Sequence, residues 1–374
     1  MKPRERVAAA VGHGEPDRCP FQATFTPGFA ARLRSDLGLE PGGHHNPYGA
    51  GNSHRLEIAL GQDILLTSVG FANSWYPEEP GQFVDEWGVG WRVVPCAFPH
   101  GTEYYADVLV HPLAGTSAAG VAIARYRPPD PGRDELYEHA EWTVGELGGE
   151  YWIAGTTMMT IFGTAWALRG YEQLLMDFVA EPDLAQEILE IPLRYHRAAA
   201  ERLTRIGVDM IWLGDDIGHQ SGLVMSPRHW RRFLKPRMAD LIASLKAINP
   251  RVVIAYHTDG CVYDVIADLI EIGVDVLNGV QPSAMDPVRL KREYGHELCF
   301  WGSMDEQETM SFGTPADVRR QARERISTLG AGGGLILGPT HHVALDTPPE
   351  NFWALVEEVT GSSRSGGWAE RPDA

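Results

Sequence analysis

Cysteine is scarce and scattered: Cys19, Cys96, Cys261 and Cys299 are the four in 374 residues, and none forms a C-x-x-C pair. That excludes a disulfide framework and a zinc ribbon, and it fits a reducing compartment. Long apolar runs are missing too. No window approaches the ~18–20 residues of a membrane span. The Ala/Val stretch of "MKPRERVAAAVGHGEPDRCPF" is too short and interrupted for a secretory signal, so a cytoplasmic location is expected. Basic residues are in deficit, 32 Lys and Arg against 50 Asp and Glu, for a formal net charge of −18. Nucleic acid and anionic membrane both require a basic face, so neither is expected as a partner. No G-x-G-x-x-G follows a first strand, which leaves a dinucleotide fold without support. No low-complexity linker divides residues 1–360, expected to form one unit, and the polar Gly/Ser-rich stretch 361–374 reads as a loose end.

What is present is a regular alternation. Short apolar runs occur at "PFQATF" (20–25), "DILLTS" (63–68), "YWIAGT" (151–156), "VDMIWLGDD" (208–216), "RVVIAYHTDG" (251–260), "VDVLNGVQP" (274–282), "LCFWGSMD" (298–305) and "GGLILGPTHHV" (333–343). Helical chain follows each, with Ser226-Pro227 and Thr314-Pro315 as start signals and with Pro182 and Pro192 expected to open new helices. Eight such units predict an α/β fold, a single (β/α)8 TIM-type barrel. "FVDEWGVGWRVVP" (83–95) predicts a β-hairpin inserted after strand 2.

Barrel chemistry sits where the strands end. Those ends carry Thr24, Thr26, Ser68, Thr156, Thr157, Asp215, Asp216, His257, Asp259, Gln281, Ser303, Asp305, His341 and His342. Ser303, Thr156 and Thr157 are read as caps of the following helices. Of Asp215 and Asp216, one would cap a turn while the other faces the pocket. Period two places His257 and Asp259 on one side of their strand. With His341 they offer two imidazoles and a carboxylate, a set suited to zinc or to non-haem iron. Without metal, His257 and Asp259 would serve as a general acid/base pair. Asp216 and His219 are further catalytic candidates, and Gln220 and Gln281 are candidates for substrate contact. Trp75, Tyr76, Trp212, Tyr256 and Trp301 would line an aromatic cavity, with core packing the competing reading for each. Few basic groups stand near them, which favours a neutral or cationic small substrate. "HHNPYGAGNSH" (44–54) and "FPHGTEYYADVLVHPLAG" (98–115) are candidate lids.

Several segments together carry a resemblance. "RERVAAAVGHGEPDRCPF", "DEWGVGWR", "VDMIWLGDDIGHQSGLVMSPRHWRRFLKPRM", "HTDG", "VDVLNGVQPSAMDPVRLKREYG", "FWGSMDEQETMSFGTPADVR" and "GGGLILGPTHHVALDTPPENF" resemble the uroporphyrinogen decarboxylase superfamily, in order and up to about residue 360. The resemblance implies a distorted (β/α)8 barrel with a deep cleft, often a homodimer. It departs from true uroporphyrinogen decarboxylases, whose arginine-rich "MRQAGR" is replaced here by "FQATFTPGFAARL", and whose second-strand aspartate has no counterpart beside Ser68. The other branch, zinc-dependent methyltransferases serving corrinoid proteins and thiols, carries H-x-C and a distant Cys. Those positions fall on His257, Asp259 and His341. The resemblance therefore implies a zinc-dependent methyltransferase or demethylase acting on a small methylated compound, with any corrinoid brought by a partner protein. Whether Cys261 or His342 joins the site is left open, Cys261 being read first as a small structural residue. A metal-independent decarboxylase or lyase acting on a small carboxylate is the alternative, and a non-catalytic barrel binding a ligand or a corrinoid protein is a third.

Overall fold

Side chains of extended backbone alternate between two faces, and in this chain both faces are apolar. The computed structural model describes residues 1–77, 80–115 and 123–362. In chain order the strands are β1 (Ile64–Ser68), β2 (Gln82–Val84), β3 (Gly90–Phe98), β4 (Gly101–Val110), β5 (Trp152–Thr156), β6 (Met210–Gly214), β7 (Gly218–His219), β8 (Gly222–Leu223), β9 (Val253–His257), β10 (Val276–Gly279), β11 (Cys299–Met304) and β12 (Leu335–Pro339). Seven of them form one parallel sheet in the order β1-β5-β6-β9-β10-β11-β12.

The sheet closes through residues 20–25. Phe21 bridges Leu337 and Phe25 bridges Val343, both parallel. On the other side the Asp63 N–H donates to the Phe21 carbonyl, and the Gln62 amide both accepts from and donates to the backbone of Ala23. This irregular eighth stave completes a (β/α)8 barrel, as the alternation of the sequence predicts. At the foot, fully buried Asp63 takes Arg6 at 2.5 Å and Arg18 at 2.7 Å and accepts the Phe21 N–H.

The alternation divides the core in two. Val253, Ala255, Val276, Cys299, Trp301, Ile336 and Trp212 fill the barrel interior. Their neighbours Ile254, Tyr256, Leu277, Phe300, Leu335, Leu337 and Leu213 face outward into the larger layer beneath the helices. Such burial on both faces is the mark of a parallel sheet covered by helices.

The expected hairpin is present: β2 and β3 pair antiparallel, with Asp85 accepting the backbone N–H groups of Trp87 and Val89 and the indole N–H of Trp91. A third strand, β4, extends it through part of the stretch read as a lid. Pro192 corrects another expectation, since it lies inside one helix, Pro182–Ile206, rather than opening a new one. The missing N–H is tolerated because Ile188, Leu189, Leu193, Tyr195 and His196 around it are all buried against the barrel. The tail 361–374 falls almost wholly outside the described residues. No helix among the described residues is long and apolar enough to cross a membrane.

Candidate functional site

His257 is the last residue of β9, on the inward register shared with Val253 and Ala255. Its Nδ1 lies 2.7 Å from Oδ1 of Asn278, which stands on the neighbouring strand β10. The Asn278 Nδ2 group donates to the Trp301 carbonyl, so its oxygen must face the imidazole. Nδ1 therefore carries the hydrogen, and Nε2 presents a lone pair to the barrel mouth. Gly214, paired with His257 across β6, makes room: a Cβ there would lie 2.7 Å from the His257 Cβ and from Met158.

Two carboxylates face that lone pair, Asp216 at 3.7 Å and Asp259 at 3.9 Å from Nε2. His341 completes the group. One ligand atom each from His257, Asp259 and His341 lie within 4.8 Å of one another. Oδ1 of Asp259 is enclosed and has no hydrogen-bond partner among the described residues. An enclosed, unpartnered carboxylate oxygen aimed at an imidazole lone pair suits a cation.

The side chains enclose a small cavity lined by Gln22, Thr24, Tyr48, Met158, Trp212, His257, Asn278 and residues 339–342, with about 20 Å³ of free space. His342 reaches it from beneath. Its Nδ1 meets Thr24 Oγ1 at 2.6 Å, and burial together with His341 and His257 holds its imidazole neutral. A roomier groove of about 690 Å³ lies along residues 27–45, where no three ligating side chains among the described residues converge.

The other candidates separate into two groups. Asp216 accepts the Asp259 N–H at 3.2 Å and faces the site. Asp215 is the turn-capping member of that pair, accepting the N–H groups of Ile161 and Gly163, and burial pushes its carboxyl up to about 7. Trp212 lines the cavity, and Trp301 packs on it in the barrel interior with ring centroids 4.7 Å apart. Tyr76 stands behind, edge-on to His342.

Several expectations are corrected. Tyr256 packs in the outer layer because it alternates with His257 and points the opposite way. Trp75 is held by Trp91 and Trp166 rather than by the cavity. Gln281 braces the turn by accepting the Gly260 N–H. His219 and Gln220 are exposed on the β7–β8 hairpin, where His219 meets Ser221 and Gln220 meets Gln307. Cys261 keeps to its structural reading, its N–H donating to the His219 carbonyl and its thiol outside the ligand group. Thr156, Thr157 and Ser303 cap nothing, since their buried hydroxyls have no partner among the described residues.

Several residues of the site went unread in the sequence, Asn278 and Tyr48 among them. Asn278 had a signal, an amide in the inward register of an apolar strand. Tyr48 had none. It sits on a loop where the Asn46 N–H donates to Asn52, the Asn52 amide donates back to the Asn46 carbonyl, and the Tyr48 N–H donates to Asn46 Oδ1. Gly49, at φ +91°, presses that loop on β1: a Cβ there would lie 2.1 Å from the Leu66 carbonyl. The segment 44–54 is thus a braced support rather than a lid. Strain gathers nearby, where Met159, Val280 and Ser303 adopt left-handed backbone just past β5, just past β10 and near the end of β11.

Comparison with known proteins identifies the fold family. The uroporphyrinogen decarboxylase (URO-D) family model matches residues 112–361. The chain belongs to the uroporphyrinogen decarboxylase family. Within it, the chain is 24% identical over 189 residues to uroporphyrinogen decarboxylase of Paraburkholderia phytofirmans, covering 50% of this chain and 49% of that protein. It is 27% identical over 177 residues to that of Thermus thermophilus, 47% of each. The chain thus spans about half the length of these relatives. A solved methyltransferase from Methanosarcina mazei shares the fold at a TM-score of 0.68 and 22% identity, over 96% of this chain and 99% of that one.

Proposed function

We propose that this URO-D family member is a metal-dependent enzyme, zinc being the ion expected, that transfers a methyl group between a small methylated compound, or a corrinoid carried by a partner protein, and a thiol. One observation carries the reading: His257, Asp259 and His341 bring ligand atoms within 4.8 Å of one another at the barrel mouth. The fold likeness to a methyltransferase agrees with it.

His257 would offer Nε2, held in that tautomer by Asn278, with Asp259 and His341 as the other ligands. A divalent ion bound there supplies Lewis acidity and lowers the pKa of a thiol or water. Asp216, adjacent and exposed, would accept the proton released at that position. The cavity walls of Trp212 and Met158 would admit a group of about methyl size in roughly 20 Å³. The metal-free lyase is less supported, because no Lys or Arg among the described residues lines the cavity to receive a substrate carboxylate.

The test is elemental analysis of tag-free protein beside His257→Ala. Near-stoichiometric zinc that disappears in the variant is the expected result, followed by methyl exchange between methylated corrinoid and thiol acceptors. Iron in its place turns the reading toward oxygen chemistry. A protein never exposed to chelator that carries no metal overturns it.

A further inference from the structure

The wall formed by His257, Asp259 and Asp216 offers a ligand only lone pairs. His257 has its hydrogen committed to Asn278, and the two carboxylates accept without donating. A substrate oxygen or sulfur bound there finds no hydrogen-bond donor in that wall, whether the lone pairs are free or taken up by an ion. Tyr48 stands at the cavity into which His257 opens. It lines the cavity with His257 and His341, and its ring stands edge-on to His342 at 5.0 Å. Both Asp216 and Asp259 act on it electrostatically, and with burial as the larger cause they hold the phenol protonated. No hydrogen bond among the described residues takes up its hydroxyl. The reciprocal Asn46–Asn52 bonds and the contact of Gly49 with Leu66 fix the loop that presents it.

We propose that Tyr48 donates its hydroxyl hydrogen to the oxygen or sulfur atom of the substrate held beside His257 and Asp259, an assignment that rests on the metal-dependent reading above. Tyr48 then selects ligands whose heteroatom carries a lone pair, thiolates and alkoxides above all, and it orients that atom in the cavity. It makes no contribution to holding the ion.

The experiment uses the full chain loaded with cobalt(II), whose absorption reports both metal uptake and a thiol arriving at the metal. Wild type and Tyr48→Phe are first titrated with cobalt, then with methanethiol. Equal cobalt uptake with methanethiol affinity weakened about tenfold or more in the variant is expected, the size of a lost hydrogen bond to a charged acceptor. Gly49→Ala, which keeps the tyrosine but displaces the loop that presents it, is expected to weaken methanethiol binding in the same sense. Equal methanethiol affinity in wild type and Tyr48→Phe overturns the donor role and leaves the metal reading intact. Loss of cobalt uptake in Tyr48→Phe also overturns it, by giving Tyr48 a structural part. A wild-type protein that takes up no cobalt overturns the metal reading and this assignment together.

Discussion

At the scale of single residues, Asn278 decides what His257 can do. Its Nδ2 group is committed to the Trp301 carbonyl, so its oxygen fixes the imidazole hydrogen on Nδ1 and leaves Nε2 bare. Partners of this kind typically govern metal affinity by about 10- to 100-fold. Asn278→Ala is therefore expected to lower zinc affinity by about that factor while retaining the ligands, measured by competition with a coloured chelator. Unchanged affinity would remove Asn278 from the account. This residue and Tyr256 were both legible from the sequence, because period two puts Asn278 inward with Val276 and turns Tyr256 away from His257. Tyr48 was not, since a contact between a glycine and a strand 17 positions on, Gly49 against Leu66, is what places it.

Among the elements, the turn that follows β5 depends on Asp215. Its carboxylate accepts the N–H groups of Ile161 and Gly163 at the start of the helix Phe162–Arg169, so residues beyond β6 organise the end of β5. Burial raises this carboxyl from 3.8 to about 7. The folded chain then binds a proton that the unfolded chain has released, and stability falls as pH rises through the window from about 4 to about 7. Asp215→Asn retains an acceptor oxygen for the turn and removes the charge. Urea midpoints followed across that window are expected to slope less in the variant than in the wild type. Equal slopes would show that Asp215 ionises in the folded protein as it does in the unfolded one. The two-aspartate motif announced a division of labour, but which member capped the turn depended on β6 geometry and not on local pattern.

For the whole molecule, closure of the barrel is secured at its foot. Asp63, fully buried, joins Arg6 of the first helix, Pro3–Val11, to Arg18 and to the Phe21 N–H just where the eighth stave begins. Removing Asp63 takes the buried carboxylate from both arginines, and although Arg6 keeps Asp17, losing one partner of a buried ion pair costs about 3–5 kcal/mol. Asp63→Ala is expected to lose about that much stability in urea denaturation, and a loss within about 0.5 kcal/mol would mean that the arginines find water instead. The eight staves were legible because each is a short apolar run ahead of helical chain. The strand β4 was not, since much of it is exposed and its alternation is weak.

The same closure sets a clock. Phe21 pairs with Leu337, which the ribosome makes 316 residues later. At ~5–20 residues per second the first stave waits roughly 15–60 s for its neighbour. Until β12 emerges, the sheet has an open margin at each end, and nascent chains in that interval are the ones a chaperone would hold.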